Sequence, residues 1–298
     1  RLEVEGPFYG ELTLFEKLAF PNGPSKKRNH PVERTDVEAK ALIDSFAHEA
    51  FRRRETDPAF LQKLHDLYAL GRKSGLEAEQ ALVDPLAVVL ASPGFLYLSE
   101  AEEADAKRKP LTLRELAVRL SYFLWSAPPD EALYQAAEKG TLKNSAELTR
   151  QVDRMLADPK AEAFYHSFMS QWFELHRFDD IAVNPKDYLM FDEQVGYSAR
   201  EEPIRFFEHL MKGNLSLGNL IDSDFAMLDP LLAHFYEIEG VEGQGFRKVN
   251  LPPESPRGGL IGTTAFMIMG STGDRTSPII RGTLVLDKFL HDPSADPP

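Results

Sequence analysis

The segment from Ser255 to His291 concentrates the chain's candidate chemistry, because Arg257, Arg275 and Arg281 stand there among hydroxyl residues and glycines between two apolar stretches. Guanidinium groups present planar donor forks that suit carboxylate and phosphate oxygens. Thr276 or Ser277 is placed to cap a helix with Pro278 at its first position and Ile280, Leu284 and Leu286 to Phe289 behind it. Arg281 then falls in the first turn, where a cation opposes the helix dipole and calls for a negative partner. Two partners stay open. One is an internal carboxylate, with Asp222, Asp224 and Asp274 as candidates; the other is a bound anion. The internal cluster is the favoured reading, since structural ion pairs are commoner than sites.

Other chemistries lack support. The chain has no cysteine, which removes disulfides, thiolate metal sites and covalent haem attachment. Its eight histidines show no His-x3-His or His-Glu-x2-His spacing, so no metal and no cofactor is expected in this chain. His166 and Met169 share one helix face and cannot approach a haem iron from opposite sides. No glycine-rich phosphate loop follows a strand, and neither Ser255 nor Ser277 lies in a nucleophile elbow. Phe164, Tyr165, Phe168, Trp172 and Phe173 are spaced as a helix stripe that packs a core. Glu201, Glu202, Arg205 and Glu208 read as charge pairs on a solvated helix face.

These residues need a scaffold, and the composition provides one. With 298 residues and 43% apolar content the chain can bury a large core or two moderate ones. A net charge of -13 argues against a nucleic-acid partner, and the basic runs at 26–28 and 107–109 read as solvated loops. No apolar run is long enough for a membrane span. Starting without Met and ending on Pro297-Pro298, the chain reads as a piece of a longer polypeptide.

The pattern predicts a mainly α fold: two helical bundle-like blocks, a short N-terminal strand, and a small β hairpin or extended loop near 240–251. Residues 2–5 alternate as the strand and 21–31 form a loop. Capping boxes at Thr35/Glu38 and Thr112/Glu115 open helices with regular apolar stripes. Further helices are predicted at 57–75, 77–91, 130–138, 145–157 and 160–175. Another spans 191–212 with Tyr197, Ile204, Phe207, Leu210 and Met211 inward, kinked or started by Pro203. The charged stretch Ser99 to Pro110 breaks the periodicity and marks a boundary. The domains expected are therefore 1–34, the strand and loop at the end of an upstream module; 35–100, a small helical domain; and 111–298, a larger helical domain.

Several stretches also carry a family resemblance: GPFYG at 6–10, FAHEAFRRR at 46–54, VLASPGFLYLSE at 89–100, LAVRLSYFLWSAPPDEAL at 116–133 and RTSPIIRG at 275–282. In this order they resemble the consecutive domains of unknown function in large cytochrome c-containing proteins of planctomycetes. Phe235-Tyr236-Glu237 departs from that family's frequent His-Tyr-Gly. The resemblance implies an exported, periplasmic, multidomain setting, a haem c module in a neighbouring part of the polypeptide, and neighbouring domains as partners. It supplies no catalytic residues. The functional expectation is a helical scaffold or interaction module without a complete active site; the alternative is an oxidative enzyme acting on a polymer or carbohydrate through an Arg-lined anion pocket.

Overall fold

The computed structural model describes residues 34–98 and 110–292. The predicted strand at 2–5, the loop at 21–31, both basic runs and the linker at 99–109 lie outside them. Packing divides the described residues into two compact units, 34–98 with 110–119 and 128–134, and 120–127 with 135–292.

The first unit is built on α1 (Asp36–Ala50), α2 (Pro58–Lys73) and α3 (Ala78–Ala91). At the start of α1 the Thr35 side chain accepts from the Glu38 amide at 3.3 Å while Glu38 accepts from the Thr35 amide at 2.8 Å, so two otherwise orphaned donors are satisfied. Asp57 caps α2 through the Ala59 amide, with Pro58 at the first helical position. Their apolar stripes meet in a core of Ala39, Ile43, Phe46, Leu64, Tyr68, Leu82 and Val89. Tyr68 Oη donates to Asp36 at 2.7 Å; burial and that carboxylate push its phenol up to about 12. Where the sequence predicts a stop before Pro93, the chain adds a turn, α4 (Pro93–Leu96), whose carbonyls at Gly94 and Phe95 accept from Arg52 at 2.9 and 2.7 Å.

Helices α5 (Leu113–Trp125) and α6 (Glu131–Glu138) contribute residues to both units. The Thr112/Glu115 box at the start of α5 forms as predicted. Phe123 of α5 is 63% exposed and lies against the ring of Phe164.

The second unit contains α7 (Ser145–Ala157), α8 (Glu162–Trp172), α9 (His176–Asp179) and α10 (Glu193–Lys212), followed by β1 (Phe225–Leu228), α11 (Pro230–Phe235), β2 (Arg247–Asn250), α12 (Thr264–Met269) and α13 (Pro278–Leu290). Asp192 caps α10 through the Val195 amide at 2.8 Å, and the helix runs on through Pro203. Its buried face carries Val195, Ala199, Glu202 and Phe206 at spacings of four, three and four, which leaves Tyr197, predicted inward, 67% exposed. These residues pack on a two-stranded antiparallel sheet with Phe225 opposite Asn250 and Leu228 opposite Arg247. The segment near 240–251, expected as a hairpin or an extended loop, supplies β2, which pairs with β1 across α11. Strand β1, FAML, is buried along its whole length and lacks the polar alternation that announces a half-exposed strand. Among the described residues no helix is long and apolar enough to cross a membrane.

Candidate functional site

Two of the three predicted arginines line one cavity of about 210 Å³ in the second unit. Arg257 reaches it from a loop held by two backbone constraints. Gly258 and Gly259 have φ of +157° and +62°, and a Cβ on either would fall 2.6 Å from backbone atoms of Ser223 or Ile221. The loop can therefore lie directly on the 221–223 segment, and its guanidinium stacks 3.6 Å from the centroid of the Tyr236 ring. Arg281 comes from the first turn of α13, whose N-cap is Ser277, with Pro278 following. Thr276, the other capping candidate, instead accepts a hydrogen bond from Arg281 Nη2.

Val183, Tyr188, Phe191 and Phe235 also line the cavity, with Met267 and Ile268 of α12. The 181–184 segment is fixed to the loop before α13 by the Asn184 amide donating to the Gly273 carbonyl at 3.0 Å. That loop is a tight turn: Ser271 bridges Thr276, and the Thr272 amide donates to the Arg275 carbonyl at 3.0 Å.

Arg281 has no carboxylate within 4.0 Å among the described residues, and its Nε is buried with no acceptor there. A buried N–H without an acceptor forgoes on the order of 1–3 kcal/mol. Asp222, Asp224 and Asp274 are all exposed, as is Arg275, and none of them forms an ion pair with Arg257 or Arg281. Asp274 is instead held below the usual carboxylate range by the Thr272 hydroxyl, at 2.5 Å. The structure therefore brings together Arg257, Thr276 and Arg281, and leaves Asp222, Asp224, Asp274 and Arg275 at the surface.

A buried carboxylate stands behind the cavity wall, and it is Glu202, which the charge pattern had assigned to a solvated face. Glu202 is 2% and Glu201 7% exposed. Glu202 Oε2 accepts from Tyr236 Oη at 2.6 Å and from the Thr264 amide at 3.0 Å, while Tyr236 Oη accepts from the Thr264 hydroxyl at 2.8 Å. Burial pushes the Glu202 carboxyl up to about 7; the Tyr236 and Thr264 donors and the Arg257 charge oppose that rise without cancelling it. Burial, then the neighbouring carboxylate, raises the Tyr236 phenol well above its ordinary range. Thr264 and Arg257 line the cavity and also touch this network, so they couple the two. The signal that finds Glu202 is its place on the Val195, Ala199, Phe206 stripe, a polar residue at an apolar position. Tyr236, Tyr188, Phe191 and Phe235 carry no such local mark.

The remaining candidates resolve locally. Glu201 sits 3.1 Å from Arg205 and 3.6 Å from His166, and Arg205 also pairs with Glu162 and Glu208. Of the aromatic stripe, Phe164, Tyr165 and Phe173 are buried, while Phe168 and Trp172 line a groove beside Phe123. Among the described residues no three His, Asp or Glu side chains converge as a metal site.

Two family models match the chain. Residues 38–100 match PSD5, protein of unknown function (DUF1595), and residues 111–238 match PSD4, protein of unknown function (DUF1592). No curated protein and no solved structure matches.

Proposed function

We propose that this chain, carrying two consecutive domains of unknown function, is a helical interaction module of a larger exported, cytochrome c-associated polypeptide, and that it engages an anionic group in the Arg257–Arg281 cavity. The observation that carries the proposal is that Arg257 and Arg281 line one cavity and that no carboxylate among the described residues lies within 4.0 Å of Arg281. A bound anion supplies the negative charge that the first turn of α13 lacks. The favoured sequence reading placed an internal carboxylate there; the exposed positions of Asp222, Asp224 and Asp274 support the ligand instead. In this reading haem c belongs to a neighbouring module and this chain holds no cofactor, so purified protein shows no Soret band and no stoichiometric metal after dialysis.

The oxidative-enzyme alternative draws on Glu202, whose raised protonation range suits a proton acceptor near neutrality. Glu202 and Tyr236, however, are fully engaged with one another behind the wall and do not line the cavity, which favours binding over proton transfer. Thermal melts with phosphate, sulfate, acetate and galacturonate test the proposal. At least one anion is expected to raise the melting temperature of the native protein in a concentration-dependent way and to lose that effect in Arg281→Gln. Melting that ignores every anion, or responds equally in both proteins, overturns it.

A further inference from the structure

We propose that the cavity's ligand is a small carboxylate on an apolar, preferably aromatic, body: the carboxylate faces Arg281 and Arg257, and the body packs on Phe191, Phe235 and Tyr188. This rests on the anion reading above and adds the ligand class.

Size is the first argument. An apolar cavity of about 150 Å³ accommodates benzene, and the space here, about 210 Å³, holds one ring and a carboxylate. The lining is the second. Besides the two arginines, the lining carries the hydroxyls of Tyr188, Thr264, Ser271 and Thr276: Thr264 donates to Tyr236, and Thr276 accepts from Arg281. Ser271 donates to the Ile268 carbonyl at 2.7 Å. A sugar acid would set its ring hydroxyls against Phe191, Phe235, Met267 and Ile268, where burial without partners costs free energy. A monocarboxylate needs only the donors that are free. The third argument is shape: Phe191 and Phe235 meet edge to face at 5.8 Å and 65°, a preset aromatic wall against which a flat ring can stack or abut.

Calorimetric titration of the chain with benzoate, phenylacetate and cyclohexanecarboxylate tests this, beside acetate as charge without body, benzyl alcohol as body without charge, and phosphate and galacturonate as other anions. The expected result is binding of the ring carboxylates at least tenfold tighter than acetate, phosphate, galacturonate or benzyl alcohol. Arg281→Gln should lose most of that affinity. Phe235→Leu should bring benzoate down toward acetate while leaving acetate itself unchanged, and it keeps the test open if the arginine variant does not fold. If phosphate or galacturonate binds as tightly as benzoate and Arg281→Gln still abolishes it, the ligand class is wrong and the anion site stands. If benzyl alcohol equals benzoate, or no anion binds, both fall.

Discussion

Replacing Glu202 with Gln isolates the cost of a buried carboxylate in this fold. The native group titrates near 7, whereas in the unfolded chain it titrates near 4.5. Between those values the native state holds a proton that the unfolded state has released, so stability is full below about pH 4.5 and declines as pH rises through 7. A difference of about two and a half units corresponds to about 3 kcal/mol lost at pH 8 relative to pH 4.5. Glutamine keeps the shape and an acceptor for the Tyr236 hydroxyl and the Thr264 amide, but never ionises. Glu202→Gln should therefore match the native protein within about 1 kcal/mol near pH 5 and exceed it by roughly 3 kcal/mol at pH 8. Urea denaturation of both proteins at several pH values between 5 and 8 measures this, and the difference between them removes every other titrating group. A difference that stays constant over that range would refute the reasoning, since it would mean that Glu202 keeps one protonation state throughout.

Other outcomes follow from the same structure. Thr35→Ala removes one half of a reciprocal cap and should lower stability by about 1 kcal/mol in thermal or urea melts. Gly273→Ala places a Cβ against the Ala182 carbonyl at a φ of +89°; it should destabilise by about 1–3 kcal/mol and blunt any anion response, because the cavity wall at Val183 must move. Limited proteolysis should cut first within 99–110, where periodicity is lost and charge accumulates; first cleavage inside α5 would reject that boundary.

The longer helices were legible in the sequence, whereas the short helices α4, α9 and α11 were not. Thr35, Asp57, Thr112, Asn144 and Ser277 each cap the helix that follows, because capping is a contact between residues two or three apart and its chemistry is written locally. It also placed Arg281 in the first turn of α13 and stated that its charge needed an answer. What answers it is a property of tertiary packing. Whether Asp222, Asp224 and Asp274 reach Arg281 depends on where the 221–224 and 272–275 turns lie, and the fold leaves all three in solvent. The carboxylate behind the cavity, Glu202, sits in a run of charges that resembles a solvated face; only the packing of α10 on β1 and Tyr236 turns it inward. Strand β1 was invisible for a related reason, since a segment buried on both faces shows no alternation. The aromatic lining of the cavity joins Tyr188, Phe191 and Phe235, which no spacing rule connects. Local interactions fix which residues cap and coil; long-range burial decides which charges lose water, and with them where a ligand can sit.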